Sequence, residues 1–444
     1  MASTYLSRTQ TSGNSKTFTY SGWLKRGNPT AGERPFFTAS SDSNNRSSFM
    51  FESGDTLRLY NIDGGSVNVN LITTQLFRDY SAWYHIVLAV DTTQATASDR
   101  VKFYVNGEQV TSFSSSTYPN QNVNMKMNSA ISHLLGHAPF SGSYYDGSMS
   151  HVHFIDGTAY DASAFGETDA TTGIWKPKTA PSVTYGTNGF FLKFENSGSM
   201  GTDSSGNANN FTVNGTLTQT VDTPSNVFAT LNPLNYNSQP ILYKNGNTVG
   251  YSSVTTWSTA FSTLAVSSGK YYFEAKSSTN NGFVGICKAD ETYPAQTAGI
   301  YLGNASLGTA SWGYYAQNGN YVHNGSFIAY GNSWTNNEII GCALDLDNNK
   351  LYFSINGVWQ NSGDPTSGAT GTGAISITAS TYFFGITKHD ADSEMQTNFG
   401  NGYFGTTAVS SAQNPDDGIG IFEYTVPTGY KALCTKSINA QEYS

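Results

Sequence analysis

The stretch LYFSINGVWQ, residues 351–360, decides the fold that this sequence predicts. Aromatic and β-branched residues alternate with others up to Asn356-Gly357, after which an apolar residue follows. Asn-Gly tolerates the positive φ angles that a tight type I′ turn requires, so the stretch predicts a β-hairpin. VKFYVNGEQV, residues 101–110, has nearly the same pattern about 250 residues earlier, whereas stacked repeats have periods of about 20–50 residues. The recurrence therefore indicates two separate β domains.

Alternation with a period of two continues along most of the chain, and clusters of turn residues interrupt it every 8–15 residues. No ten-residue stretch has a convincing helical stripe. Many short antiparallel strands with Gly-rich turns are typical of sandwiches. We therefore predict an all-β protein with two antiparallel β-sandwich, jelly-roll-like domains in tandem. The strand-like stretches are FTYSGWLKR, SSFMFES, TLRLYNI, WYHIVLAVD, HVHFIDG and FFLKFENS in the first half, and KYYFEAKS, GFVGICKAD, EIIGCALDLD and TYFFGITK in the second.

The boundary between the domains is expected in residues 216–245, which contain three prolines and little strand pattern. This linker leaves a first domain at 1–215 and a second at 246–405. Residues 406–444 begin with a polar loop and end with IFEYTVPTGYKALCTK, a predicted strand pair. An isolated hairpin is marginally stable in water, so we expect this tail to dock on a domain.

The charge composition excludes several classes of partner. Only 12% of residues are charged and the net charge is −9, with no basic run longer than Lys25-Arg26. Nucleic acid and anionic membranes attract basic stripes, so neither is an expected partner. No window approaches the ~18 apolar residues of a membrane span, and the first residues have no apolar signal region.

The three cysteines indicate synthesis in a reducing compartment. Cys287 and Cys342 lie in apolar strands, and an odd count with Cys434 gives no disulfide framework. The abundant Asn, Ser, Thr and Gly nevertheless resemble the surface of proteins that work outside cells. A virion protein, made in the host cytoplasm and displayed on a particle surface, satisfies both conditions.

Motifs in each half resemble known families. WYHIVLAVD with VKFYVNGEQV, GSMSHVHFIDGTAYDASAF and DSSGNANNFT resemble laminin-G-like, concanavalin A-like lectin domains. SWGYYAQNGNYVHNG, NEIIGCALDLDNNKLYFSINGVWQ and MQTNFGNGYF are similar to SPRY domains. The combination, joined by TPSNVFATLNPL, resembles structural proteins of tailed bacteriophages. These resemblances imply β-sandwiches and a binding role.

Catalytic and metal-binding patterns are weak. Glycoside hydrolysis needs two facing carboxylates. The nearest pattern, Asp345 and Asp347, continues to Lys350 and is interpreted as a hairpin turn, so no enzymatic activity is predicted. An EF-hand loop that starts at Asp345 would need Gly where this chain has Lys350 and Glu where it has Asn356, so the sequence does not predict an EF-hand.

Two further groups of residues carry the oxygen or imidazole atoms that metals bind. Asp203 and Asn207 could hold Ca²⁺, although an Asx-type turn is the preferred interpretation, and no other cofactor is expected. Four histidines cluster between residues 133 and 153 and are interpreted as ordinary surface or groove residues rather than a zinc site. They are His133, His137, His151 and His153.

Aromatic residues in polar turns are the candidate ligand-binding residues, because flat rings near amides suit sugar stacking or protein contacts. Alternation implies that about half of them point into the core, and Trp83 and Trp359 are expected to be structural. The candidates are Tyr144, Tyr145, Trp312, Tyr314, Tyr315, Tyr321 and Trp334.

The sequence thus favours a non-enzymatic phage virion surface protein: a tail fibre, appendage or head decoration. We expect it to be a homo-oligomer that contacts other virion proteins and attaches to a host surface glycan or protein. Two alternatives are also compatible with the sequence. One is a cytoplasmic SPRY adaptor for a peptide partner, and the other is a secreted glycan-degrading enzyme.

Overall fold

The computed structural model describes residues 4–27, 32–236, 242–250, 255–289 and 299–442. The chain divides into two compact units, residues 1–219 and 220–444. Each consists of antiparallel sheets, so the predicted all-β architecture with two sandwiches in tandem is confirmed. No helix in the described ranges is long and apolar enough to cross a membrane.

The first unit contains two large sheets. Its strands are β1 (Tyr5–Thr9), β2 (Thr17–Arg26), β3 (Arg34–Asp42), β4 (Asn45–Phe51), β5 (Leu57–Asp63), β6 (Ser66–Thr73), β7 (Tyr84–Asp91), β8 (Val101–Val105), β9 (Glu108–Gln109), β10 (Phe113–Thr117), β11 (Ser132–Leu135), β12 (His137–Ala138), β13 (Ser143–Tyr144), β14 (Gly147–Asp156), β15 (Gly166–Thr168), β16 (Trp175–Pro177), β17 (Phe190–Leu192) and β18 (Thr212–Asn214). The eight-stranded sheet has the order β10-β6-β5-β4-β3-β11-β1-β18, and the six-stranded sheet has the order β17-β14-β2-β7-β8-β9.

Alternating side chains of these two sheets form one core. The ring of Tyr20 on β2 stacks on Phe37 of β3 with centroids 5.0 Å apart, and it meets Phe49 of β4 edge-on at 6.1 Å. All three side chains are fully buried. Aromatic rings from facing sheets therefore fill the first sandwich.

The second unit has the same general plan. Its elements are β19 (Leu231–Tyr236), β20 (Leu242–Lys244), β21 (Thr248–Gly250), β22 (Ser258–Val266), β23 (Lys270–Ser277), β24 (Gly282–Lys288), β25 (Ser311–Tyr315), β26 (Asn320–His323), β27 (Ser326–Ala329), β28 (Ile339–Asp345), β29 (Lys350–Ile355), β30 (Val358–Trp359), β31 (Ile375–Ser376), β32 (Tyr382–Lys388), β33 (Glu394–Asn398), β34 (Tyr403–Phe404), β35 (Thr407–Ala408), β36 (Lys431–Ala432) and α1 (Thr435–Glu442). The seven-stranded sheet has the order β19-β22-β32-β24-β25-β26-β27. The nine-stranded sheet follows β20-β21-β33-β23-β28-β29-β30, with β31 beside β29 and β36 beside β23.

The inner faces of these sheets form the main core of the second unit. Phe273 of β23 meets Phe384 of β32 at 4.6 Å, and Tyr314 of β25 stacks on Phe353 of β29 at 5.1 Å. The outer faces are also covered. A separate apolar cluster that includes Phe283 lies on the outer face of the seven-stranded sheet.

Both Asn-Gly turns have the predicted geometry. Asn106 and Gly107 have φ angles of 50° and 92°, and Asn356 and Gly357 have φ angles of 48° and 79°. The first turn joins β8 to β9 and the second joins β29 to β30. The two hairpins inferred from the opening motif are thus present, one in each unit.

The segment expected to be a linker contains structure. Within 216–245, β19 pairs with β22 and β20 pairs with β21, so both belong to the sheets of the second unit. Residues 237–241 lie outside the described ranges. Proline at 224, 233 and 240 weakened the strand pattern there, yet a sheet edge accepts proline because one side of an edge strand needs no donor.

The C-terminal tail packs on the outer face of the nine-stranded sheet. There Phe422 and Tyr430 of the tail form an apolar cluster with Tyr272 and Tyr352 of the sheet. Instead of the predicted strand pair, the tail has the short strand β36, parallel to β23, followed by α1. It ends beside the first residues of the unit: Thr435 N donates to Val227 O at 2.9 Å, and Ala229 N donates to Leu433 O at 2.9 Å.

Candidate binding surfaces

Three of the predicted ligand-binding aromatics are buried in the core of the second unit. Trp312 is 2% exposed, Tyr314 is fully buried and Trp334 is 1% exposed. Tyr314 Oη donates to the carbonyl of Asn332. These rings cannot present a face to a ligand in this structure, and the expectation for them is corrected: their alternation places them on the inner face of β25 and in the loop that closes the sandwich.

The two tyrosines of the first unit are half-buried and engaged in packing. Tyr144 stacks on His137, with centroids 4.2 Å apart and an interplanar angle of 9°. Tyr145 packs against the core and its hydroxyl donates to Lys25 O at 2.8 Å. Burial raises the pKa of Tyr145 well above its ordinary value. Both side chains hold the loop between β12 and β14 in place.

The remaining two candidates lie on opposite faces of the seven-stranded sheet. Tyr321 packs against the inner core and contacts Tyr330 edge-on at 6.1 Å. Tyr315 lies on the outer face, where its ring stacks on Phe283 at 4.5 Å. Tyr315 is therefore the predicted residue that the fold brings to an aromatic surface.

That surface, here called the aromatic platform, consists of Trp257, Tyr301, Tyr315 and Phe327 around the buried ring of Phe283. Tyr301 and Tyr315 stack on Phe283 at 4.8 and 4.5 Å, and Trp257 meets it edge-on at 5.1 Å. Phe327 meets Tyr315 edge-on at 5.9 Å and is 46% exposed, whereas the other three platform rings are half-buried. Rings from five separate stretches of the sequence thus converge, and the four platform rings keep part of their surface exposed.

A polar rim, consisting of Asn281, Lys388, His389 and Asp390, borders the platform. Trp257 lies 4.6 Å from His389 between ring centroids. Asn281 Nδ2 donates to Asp390 Oδ1 at 2.8 Å, and His389 Nδ1 lies 3.1 Å from the same oxygen. Asn281 Oδ1 is buried and has no hydrogen-bond partner. The rim therefore offers a carboxylate and an imidazole beside the rings, while the unpaired amide acceptor of Asn281 is buried.

The charges of the rim partly cancel. Burial opposes ionisation of Asp390, but hydrogen bonds from His389, Asn281 and Thr279 outweigh it and lower the pKa of the carboxyl. Burial lowers the pKa of Lys388 to about 8, although Asp390 opposes this. Near neutral pH the rim therefore holds an anion next to a buried cation, an arrangement that suits hydrogen bonding to an uncharged polar ligand.

The first unit carries a polar cleft of about 440 Å³. Lys126 Nζ pairs with Asp63 Oδ1 at 2.6 Å within it, and Lys126 N donates to Asn61 Oδ1 at 2.9 Å. No aromatic ring lines the cleft, so it provides hydrogen-bonding groups without a stacking surface. The lining residues are Ser15, Ser41, Asn45, Asp63, Asn124, Met125, Lys126, Ser129 and Ile131.

The Asp203–Asn207 turn is closed by its own hydrogen bonds. The two carboxylate oxygens of Asp203 accept from two neighbours each, at 2.8 and 2.8 Å and at 2.8 and 2.9 Å. Asn207 Nδ2 donates to two carbonyl oxygens, at 2.7 and 3.0 Å. These contacts support the Asx-type interpretation, while the calcium alternative is left to experiment. The donors to Asp203 are Phe191 N, Ser205 N, Ser205 Oγ and Asn209 N.

Three of the four clustered histidines of the first unit are buried, rather than the surface or groove residues that were expected. His133 is fully buried, His137 is 8% exposed and His153 is 1% exposed, while His151 is half-buried. His153 lies on the outer face of the six-stranded sheet, but the segment that follows β14 covers it, because its Nδ1 lies 2.9 Å from Tyr185 Oη. No group of three potential metal ligands was found among the described residues.

Sequence reasoning did not single out His85, which is fully buried. Trp175 Nε1 donates to His85 Nδ1 at 3.0 Å, and His85 Nε2 lies 2.9 Å from Ser21 Oγ. Burial lowers the pKa of His85 to about 3 and that of His133 to about 4. The imidazoles are therefore neutral packing groups near neutral pH.

The Asp345–Asp347 pair is structural. Asp345 is fully buried, where it pairs with Lys270 Nζ at 3.1 Å and accepts from Asn348 N at 3.0 Å. Asp347 Oδ1 accepts from Gly269 N at 2.8 Å. Both carboxylates tie the β28–β29 turn to β23, so neither is placed as a catalytic acid.

Comparison with protein families agrees with both predicted resemblances. Residues 2–164 match the concanavalin A-like lectin/glucanases superfamily, and residues 270–400 match the SPRY domain. The chain therefore carries a concanavalin A-like domain followed by a SPRY domain. Both are binding-type domains, and no catalytic family is indicated.

Individual relatives are distant. The chain is 30% identical over 127 residues to an ATP-dependent RNA helicase, DDX1, of Xenopus laevis; the match covers 29% of this chain and spans 16% of the length of that relative. The SPRY domain of human HERC1 is similar with 16% identity and a TM-score of 0.28, over 37% of this chain and 96% of that structure. The TRIM65 PSpry domain is similar with 15% identity and a TM-score of 0.29, over 38% and 91%. None of these names is that of a virion protein, so a location on a phage particle is a proposal.

Proposed function

We propose that this chain is a non-enzymatic binding protein of a phage particle surface, and that the aromatic platform of its second unit holds the partner. The platform is the observation that carries the proposal. Its rings are packed firmly enough to be rigid, since Phe283 lies between Tyr301 and Tyr315, yet Phe327 remains 46% exposed. A rigid aromatic surface loses little conformational entropy when a ligand binds.

The ligand chemistry that fits best is a neutral glycan. Sugar rings offer C–H faces to aromatic rings and hydroxyl groups to amides and carboxylates. The rim supplies polar groups for such hydroxyls through the Asp390 carboxylate and the His389 imidazole. The net charge of −9 does not favour attraction to anionic partners. A host surface glycan is therefore the proposed partner.

The particle-surface location rests on composition. Charged residues are only 12% of the chain, and the three cysteines are free and buried, which fits synthesis in a reducing host cytoplasm. A single weak site would attach a particle poorly, so we propose many copies per particle, because avidity multiplies affinity by ~100-fold or more.

The binding experiment uses NMR titration with host envelope glycans and the change in intrinsic fluorescence, to which Trp257 contributes as one of seven tryptophans. Tyr315→Ala is expected to weaken binding about fivefold or more, since one aromatic contact contributes roughly 1 kcal/mol beyond its buried area. Val358→Ala is the matched control, because Val358 is 67% exposed and lies outside the platform. Equal affinity of the Tyr315→Ala and control proteins would contradict a platform site.

The location has a separate test. Antibodies against the chain are expected to decorate intact purified particles. Presence only in infected-cell lysate would instead support the cytoplasmic adaptor, which the match of residues 270–400 to the SPRY domain also fits. In that case a platform that binds peptide rather than glycan is the expected finding.

A further inference from the structure

Strand β27 is an unusual sheet edge. It is the last strand of the seven-stranded sheet, and all four of its residues are exposed. Phe327 is 46% exposed and Ile328 is 39% exposed. Within the described ranges they are the one pair of consecutive large apolar side chains that are both exposed. An exposed apolar edge strand is a template for pairing with another chain.

Four other sheet edges of the described chain carry features that discourage pairing, and β18 and β30, with three and two residues, are shorter than β27. β9 is two residues long and contains Glu108, β10 is Ser-rich and has a register shift after Phe113, and β20 contains Lys244. β19 has a register shift and contains Pro233. β27, in contrast, pairs with β26 without any register shift and contains neither charge nor proline. Short length, charge, proline and bulges are the usual protections of an edge, and apart from length β27 lacks them.

The turn before β27 decides which backbone groups face outward. Asn324 and Gly325 form a two-residue turn with φ angles of 48° and 74°, which is the type I′ pattern. The flanking pair, His323 with Ser326, exchanges hydrogen bonds in such a hairpin, and bonded and non-bonded pairs then alternate. The N–H and C=O groups of Phe327 and Ala329 therefore point away from β26.

We propose that β27 pairs antiparallel with β27 of a second copy of this chain, with Ile328 opposite Ile328 on the two-fold axis. In this register Phe327 of each copy lies opposite Ala329 of the other, so all outward-facing backbone groups of these residues are bonded. The large ring meets a small side chain, and no charges oppose each other across the edge. A register centred on Phe327 would instead oppose two rings and leave Ala329 to pair with the turn.

The side chains separate by face. Phe327 pairs with Val322, whose side chain belongs to the outer cluster, whereas Ile328 pairs with Tyr321, which packs against the inner core. Pairing across β27 would therefore bring two aromatic platforms side by side on one continuous outer face. The pairing itself does not depend on what the platform binds.

Disulfide trapping tests the register. Directly opposed residues of a non-hydrogen-bonded antiparallel pair have Cα atoms about 4.5 Å apart, within the range of a disulfide. Ile328→Cys is expected to give a covalent dimer on mild oxidation of the full chain. Phe327→Cys is expected to give little, because the two copies would lie more than about 8 Å apart. The natural cysteines, Cys287, Cys342 and Cys434, are buried and provide a low background.

Val358→Cys is the control for random collision, since Val358 is 67% exposed on another edge. Trapping of Phe327→Cys in preference to Ile328→Cys would overturn the proposed register. Equal trapping of Ile328→Cys and Val358→Cys would overturn the pairing.

A charge-complementation experiment provides a second readout. A four-residue strand pair buries far less than the ~1,200 Å² of a standard interface, so the wild-type dimer is expected in sedimentation only at about 0.1 mM or above. Ile328→Lys and Ile328→Glu are each expected to abolish it by like-charge repulsion, whereas an equimolar mixture of the two restores it. The proposal is refuted if the wild-type chain stays monomeric at about 1 mM, or if the mixture of the two variants does not associate. Glycan binding is measured separately on the monomeric variants, so that failure of the pairing is distinguished from failure of the platform site.

Discussion

Acid is expected to unfold the first unit selectively, because its buried histidines must be neutral in the folded state. His85 accepts from Trp175 Nε1 and His133 Nε2 accepts from Asn128 N at 3.0 Å, so protonation of either accepting nitrogen would lose a hydrogen bond. Burial lowers the pKa of His85 to about 3 and that of His133 to about 4. The unfolded chain binds these protons near pH 6.5.

The sign and size follow from linkage. A histidine whose pKa is depressed on folding contributes stability that is complete above pH 6.5 and is lost as the pH falls toward the folded pKa. At pH 5 each of the two residues costs about 2 kcal/mol, or about 4 kcal/mol together. Burial also places the pKa of His153 well below its ordinary value, which adds to the loss. For a unit of this size the melting temperature should fall by roughly 8–16 °C.

The assay is thermal unfolding at pH 7 and pH 5, followed by hydrogen exchange and mass spectrometry so that peptides from residues 1–219 and 220–444 report separately. His133→Gln keeps an acceptor for Asn128 and does not titrate, so it should reduce the acid sensitivity by about 2 kcal/mol. His323→Gln, which changes a half-buried histidine of the second unit, is the control. An equal fall of both units, or an unchanged pH response in His133→Gln, would refute the reasoning.

The second unit should respond in the opposite direction, because burial raises the pKa of Glu274 to about 7 from an ordinary value of 4.5. The free energy of unfolding of this unit should fall by about 3 kcal/mol as the pH rises from 4.5 to 7. In denaturant titrations Glu274→Gln should abolish this pH dependence, whereas the control Glu394→Gln, at a surface ion pair, should retain it. Lys388→Met should stabilise the second unit at pH 7, because Lys388 is buried and still charged at that pH. The same titrations should show that the variant lacks the rise in stability expected of the wild type between pH 8 and 10.5, where buried Lys388 is neutral but an unfolded lysine is charged. EDTA should leave the melting temperature of the first unit unchanged, since the Asp203 carboxylate is filled by hydrogen bonds; a drop that is absent in Asp203→Ala would establish a calcium site. Mild proteolysis should cut first in residues 216–223 or 406–418, as mapped by mass spectrometry, and early cuts inside 80–110 or 337–360 would contradict the two-unit division.

Turns and strand alternation could be predicted from the sequence because they depend on local chemistry. Asn106-Gly107 and Asn356-Gly357 adopt the positive φ angles that their residue types allow. The alternation of Trp312, Tyr314 and Tyr315 is also visible, but it does not say which face is inside. Since both faces of the seven-stranded sheet carry apolar clusters, hydrophobicity alone could not assign the exposed residue.

The platform could not be predicted as a unit, because its residues are distant in sequence. Trp257 lies in a Ser/Thr-rich stretch and Phe327 follows a turn, and neither has a local signal for contact with Tyr315. Phe283 and Tyr315 are brought together by the pairing of β24 with β25, in which they are directly opposed. Long-range pairing of this kind is not encoded in any short motif. The burial of His133 and His153 was missed for the same reason, since the segments that cover them are remote.

The hydrogen bond between Thr435 N and Val227 O places the beginning and the end of the second unit side by side, which favours transfer of the unit between proteins. Because the chain enters and leaves this unit at neighbouring points, the unit resembles a cassette that can be inserted into a surface loop of another fold without pulling that loop apart. The same closeness should permit circular permutation, with a short linker joining the region of α1 to residue 220 and new ends opened in the exposed β26–β27 turn. Diversification of such a unit could proceed by transplantation as well as by point mutation.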